Sequence, residues 1–149
     1  MAGAFAQATP YGDQQVLRTL QRLIEFGGDP TAAWLDVGEV MLNRTLKRYD
    51  QQVDPAGRHW LDLAESTLRR KPTGLPILVL DGFMRDSFSY TADGSGMALG
   101  TNKIQAATHQ FGDDSRGIHE RPFLGVNDED EERILEVFQD HLALAMGGA

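Results

Sequence analysis

Phe88-Ser89-Tyr90-Thr91-Ala92-Asp93-Gly94-Ser95-Gly96-Met97-Ala98-Leu99 is the stretch on which the fold class turns. Phe88 and Tyr90 on one side, Met97 and Leu99 on the other, alternate with small or polar residues. That is the period of a strand, whose successive side chains point to opposite faces. The glycine-rich centre, Ala92 to Gly96, supplies the backbone freedom of a tight turn, so the stretch predicts a β-hairpin. Upstream, Ile77-Leu78-Val79-Leu80 has strand character, although a buried helical turn fits so short a run equally well. Downstream, Ile104 to Phe111 reads as a short helix closed by Gly112, Asp113 to Glu120 as a polar loop, and Arg121-Pro122-Phe123-Leu124-Gly125 as an extended segment.

Helical patterns flank this centre on both sides. Val16, Leu17, Leu20, Leu23 and Ile24 recur at three- and four-residue spacings, with Asp13 as an N-cap and Gly27-Gly28 as a stop. Asp29-Pro30 opens a second helix, proline being tolerated in a first turn. Its apolar face runs through Ala33, Val37, Met41, Leu42, Thr45, Leu46 and Tyr49. At the far end Asn127 caps a helix whose first turn is Asp128-Glu129-Asp130-Glu131, acidic residues that complement the positive end of the helix dipole. Ile134, Leu135, Phe138, His141, Leu142 and Ala145 share one of its faces, and Gly147-Gly148 ends it. Between Asp54 and Pro76 the periodicity disappears. The sum is an α+β fold, an antiparallel sheet packed by N-terminal helices and a C-terminal helix. A chain of 149 residues is the size of one domain. The expected division is a single domain over 1–149: a flexible arm at 1–12, a helical part at 13–50, the sheet with its short helix at 77–126, and the last helix at 127–146.

Bulk composition narrows the function classes. A formal net charge of −8 argues against tight, sequence-independent DNA binding, which depends on lysine and arginine neutralising phosphates. It argues equally against docking on anionic lipid. No segment approaches the run of about 18 apolar residues that a membrane span needs. The N-terminus lacks the basic and apolar regions of a secretory signal. Without cysteine there is no disulfide, no thiol catalysis and no thiolate zinc site.

The catalytic readings of individual residues are weak. His59, His109, His119 and His141 show no metal-ligand spacing. His109 is better read as a buried, hydrogen-bonded residue and His141 as one at the edge of a core. Asp128 to Glu132 lacks the central glycine and alternating ligands of a calcium loop and reads as a solvated helix start. Gly94-Ser95-Gly96 and Gly100-Thr101-Asn102-Lys103 lack the strand, loop and helix order of a phosphate loop. Ser87 and Ser89 have no nucleophile elbow. Arg69-Arg70-Lys71, the one dense basic cluster, has no interleaved aromatics and reads as a solvated loop. No catalytic residue, metal or cofactor is expected, and an enzyme is disfavoured.

What remains is a set of motifs in a particular order. Asp54-Pro55-Ala56-Gly57-Arg58-His59-Trp60 is followed by Leu63, Thr67 and the basic residues Arg69, Arg70 and Lys71, then by Leu80-Asp81-Gly82-Phe83-Met84. His109-Gln110-Phe111-Gly112 and Arg121-Pro122-Phe123-Leu124-Gly125 come next, ahead of the acidic C-terminal helix. Over roughly residues 30 to 145 this series resembles the phage virion morphogenesis family, the tail-completion proteins of Mu-like phages. The chain departs from the family pattern at Gln105, where relatives carry tyrosine, and at Met84, where leucine is common.

The resemblance implies a structural protein of a tailed-phage virion, assembled in the host cytoplasm and standing at the neck or tail end. It would complete or terminate the tail and join it to the head, as a ring of copies with six as the expected number. Its partners would be other copies of itself, the tail tube protein, a sheath if the tail contracts, and the head connector proteins. Genomic DNA would pass through the ring without specific binding, and no membrane is involved. A head-side connector, either stopper or adaptor, is the alternative within this class. A small DNA-associated packaging protein or enzyme, using Arg69–Lys71 and His109, is the alternative outside it. The assembly residues implied are Trp60, Thr67, Gly82, Phe83, His109, Gln110, Phe111, Gly112, Arg121, Pro122, Phe123, Leu124 and Gly125. Among them Gly82, Gly112 and Gly125 suit positive φ or close backbone approach. Trp60, Phe83, Phe111 and Phe123 suit anchoring irregular loops or filling a neighbouring subunit. Arg121 suits an ion pair within or between subunits.

Overall fold

A computed structural model of the chain describes residues 4–8, 14–61 and 84–147. The elements are β1 (Ala4–Ala8), α1 (Gln14–Glu25), α2 (Pro30–Gln51), β2 (Ser89–Asp93), β3 (Gly96–Thr101), α3 (Ile104–Phe111) and α4 (Asp128–Ala145), with 3-10 turns at Arg85–Ser87 and Asp114–Arg116. The fold is α+β. Its three strands lie in the order β1-β3-β2, with β2 and β3 forming the antiparallel hairpin on either side of Gly94-Ser95. β1 falls inside the stretch that reads as an arm. With Phe5 as its one large apolar residue it is too weakly patterned to read as a strand, and main-chain pairing with β3 places it. The expected strand at Ile77–Leu80, the Arg69–Lys71 cluster, Thr67, Gly82 and Phe83 lie outside the described residues.

The chain resolves into two compact units. The first, Ala6–Leu42 with Tyr90–Leu99 and Val126–Ala149, is built from regular elements. α1 buries Val16, Leu20 and Leu23 and packs on α4, which buries Ile134, Phe138 and Leu142. The N-terminal part of α2 adds Ala33, Trp34, Val37 and Met41. Trp34, which the spacing argument passes over, meets Phe138 edge to face with centroids 4.9 Å apart. Gly38 lets the Tyr90 ring lie on α2: a Cβ there would sit 2.3 Å from Cδ2 of that ring. The Tyr90 hydroxyl then donates to Glu39 Oε2 at 2.9 Å.

Caps fix three of the predicted helix ends, while the expected Asp13 cap lies outside the described residues. Asp29 Oδ1 accepts the Thr31 amide at 2.9 Å at the start of α2. Asn127 and Asp130 form a reciprocal capping box on α4, with Asp130 fully buried. At the end of α1, Gly28 N–H donates to the Leu23 carbonyl and Gly27 N–H to the Ile24 carbonyl, with Gly27 at φ +77°. This is a Schellman motif, which only a residue tolerant of left-handed backbone closes cheaply. His141, at the edge of this core, pairs through Nε2 with Asp36.

The second unit takes Met1–Phe5, Asn43–Ser89 and Gly100–Gly125. Apart from the end of α2 and the short α3, its described backbone is largely irregular. Its core is aromatic.

Candidate functional site

Three stretches far apart in sequence meet in the second unit: the turn Asp54–Trp60, the end of α3, and the extended segment Arg121–Gly125. Each is first shaped locally. Asp54 closes its turn by accepting the Arg58 amide at 2.9 Å and the Arg58 Nε at 3.1 Å, while Gly57 stands at φ +85°. α3 ends at Gly112, whose φ of +75° suits glycine and whose missing Cβ would lie 2.9 Å from the Glu120 amide nitrogen. After it, Asp113 accepts from the Ser115 amide and hydroxyl and from Arg116 Nε. Those donors hold its carboxyl below the usual carboxylate range, Ser115 contributing most.

Side chains of the motifs then pin the stretches to one another through backbone atoms. Gln110 makes three bonds: its Oε1 accepts the amides of Phe123 and Leu124, each at 3.0 Å, and its Nε2 donates to the Leu124 carbonyl at 3.0 Å. Phe123 and Leu124 are buried, so this side chain does for an irregular segment what a neighbouring strand would do for a regular one. The Trp60 indole donates to the Pro122 carbonyl at 2.7 Å. Arg121, itself buried, receives at its own amide the His109 carbonyl as acceptor at 2.6 Å, and its Nε donates to the Leu61 carbonyl at 2.8 Å. Gly125 lies against Pro55, where a Cβ would come 2.7 Å from the ring Cγ, and its carbonyl accepts from Arg48 Nη1 at 3.4 Å.

Beneath these bonds four rings close the core. Tyr49, at the end of α2, meets Trp60 at 5.4 Å and both Phe88 and Phe123 at 5.9 Å, and Phe88 meets Phe123 at 5.3 Å, all edge to face. This geometry is the favoured one for aromatic quadrupoles. Burial raises the Tyr49 hydroxyl far above its ordinary pKa, so it is neutral throughout the working range. Arg85 grips Asp50, the next residue, through two bonds of 2.6 and 2.7 Å, and holds that carboxyl low.

Of the thirteen expected assembly residues, the structure brings together Trp60, Gln110, Gly112, Arg121, Pro122, Phe123, Leu124 and Gly125. His109 joins them through its carbonyl, but its ring departs from expectation. The Nδ1 atom is buried with no hydrogen-bond partner among the described residues, and burial, followed by the charge of Arg121, lowers its pKa. Phe111 does not anchor the cluster: it is 72% exposed, pointing away from the core that its neighbour Gln110 helps to build. The hub role of Tyr49 and the backbone acceptor at Leu61 have no motif of their own, although the apolar face of α2 does include Tyr49.

This arrangement spends its polar side chains on the backbone. Among the described residues no group of three histidine, aspartate or glutamate side chains could hold a metal ion, and no helix is long and apolar enough to cross a membrane. What it makes is a hydrogen-bonded platform from irregular chain, with Phe111 and the 57%-exposed Leu61 at its surface. A model of the phage virion morphogenesis family matches residues 12–143. No curated protein and no solved structure matches the chain.

Proposed function

The chain belongs to the phage virion morphogenesis family, and from that premise we propose that it completes the tail of a tailed bacteriophage and joins it to the head, as a ring of copies around the DNA channel. The observation that carries this reading is the family match, which takes in α1, α2, the hairpin, the pinned cluster and nearly all of α4. The cluster supports it in kind: a hydrogen-bonded platform bearing an exposed phenylalanine is what a docking subunit needs. On this reading the ring holds six copies, with the tail tube below and the head connector above, and a sheath partner where the tail contracts. A net charge of −8 per subunit lets DNA slide through without being held.

Electron microscopy of lysates from a phage carrying a nonsense codon early in this gene tests the reading. Full heads beside separate tails of abnormal length are expected. Tails of normal length beside separate heads would move the protein to the head-side joining step, and intact virions would overturn the proposal.

A further inference from the structure

The two units differ in charge as well as architecture. Over the described residues the first unit holds three basic against twelve acidic residues, a formal −9. The second holds eight basic against six acidic, a formal +2. Among the described residues the net negative charge thus lies in the first unit.

Each unit also exposes large apolar side chains. In the first, Leu35 and Val126 are exposed, and four more gather at one end: Ile24 and Phe26 close α1, while Leu144 and Met146 close α4. The two helices pack on each other, and Arg22 Nη2 reaches Met146 Sδ at 3.9 Å, which sets these ends side by side. Exposed Glu25 and Asp140 flank the patch together with Arg22, Asp140 one helical turn before Leu144. Among the described residues of the second unit the exposed pair is Phe111 and Leu61, whose stretches are tied to a common residue, Arg121.

We propose that these are the two halves of a head-to-tail contact between copies of this chain: Phe111 and Leu61 of one copy seat on the Ile24, Phe26, Leu144 and Met146 patch of the next. This rests on the ring-forming reading above. Two observations make a second copy the occupant. Opposite formal charges bring the +2 unit of one molecule against the −9 unit of its neighbour, while like units repel. And the two apolar surfaces differ from each other, as the two sides of the heterologous contact in a closed ring do.

Complementation between two variants of the full chain tests this. Phe111→Asp destroys one half of the contact and Leu144→Asp the other, and both positions are exposed, so the core is untouched. By analytical ultracentrifugation the wild-type chain is expected to form closed oligomers and each variant alone to stay monomeric. Mixing the variants leaves one intact pairing, Phe111 from the Leu144→Asp chain on Leu144 of the Phe111→Asp chain, so the mixture should stop at a heterodimer. Oligomers that persist in either variant, or a mixture that stays monomeric, overturn the assigned surfaces while leaving tail completion to the lysate experiment. A wild-type chain that stays monomeric at every concentration overturns the self-contact itself.

Discussion

In the helical unit Trp34 and Phe138 meet across two regular helices whose ends are capped by Asp29 and Asn127. In the other unit Tyr49, Trp60, Phe88 and Phe123 converge from a helix end, a turn, the entrance to a strand and an extended segment. The helices satisfy their own backbones, and their side chains are left free to pack. The irregular segments have no such ladder, so Gln110, Trp60 and Arg121 supply the missing hydrogen bonds from side chains. The lesson is that the second unit stakes more on single polar side chains, and the first on apolar area.

Removing a central ring should hurt both units most and about equally. Phe123→Ala and Phe138→Ala, each fully buried in the wild type, should cost about 3–5 kcal/mol by urea unfolding. Hydrogen exchange under native conditions should show each loss concentrated in its own unit. A uniform rise across both units would erase the distinction between them.

Gln110→Leu sharpens the contrast, because it conserves size and apolarity while stranding two amides and a carbonyl. A loss of about 2–4 kcal/mol is expected: a stranded group costs about 1–3 kcal/mol where it stays buried, and less where the half-buried Gln110 site lets water reach it. Exposure of the Phe123 and Leu124 amides to exchange is the direct readout. A leucine tolerated at that position would show that packing alone holds the segment.

The smallest expected effect is pH-dependent. Burial, and then Arg121, lowers the pKa of His109 in the folded chain from the ordinary 6.5. The unfolded chain therefore binds the extra proton on acidification, and stability is full above about pH 6.5 and falls as the pH drops through and below it. Replacing His109 with leucine should flatten that part of the stability curve. An unchanged slope would assign the acid sensitivity to other groups.

Much of the fold is legible because helices and hairpins advertise themselves. Asp29, Gly27-Gly28 and Asn127-Asp130 announce helix ends by residue type, since a cap is chemistry confined to a few neighbouring residues. The hairpin at Gly94-Ser95 is local in the same way. β1 is not legible, because its partner β3 lies about ninety positions along the chain and the pairing uses main-chain atoms. Trp34 is missed for a simpler reason: the face chosen for α2 through Ala33 and Val37 sits beside it on the same helix, and only the position of Phe138 decides that it is buried.

The candidate site divides along the same line. The order of the motifs Asp54–Trp60, His109–Gly112 and Arg121–Gly125 is written in the chain, and so is the family to which they belong. Composition likewise settles the −8 charge and the absence of cysteine. That Gln110 would replace a strand partner for Phe123 and Leu124, that Trp60 would reach Pro122, and that Phe111 would face outward while Phe123 faces inward were decided only by the tertiary structure. Two phenylalanines in similar motifs are chemically identical. Which one becomes core and which one surface depends on the direction of the backbone that carries it, and that direction is set by contacts about 60 residues away in sequence, beyond the reach of any local pattern.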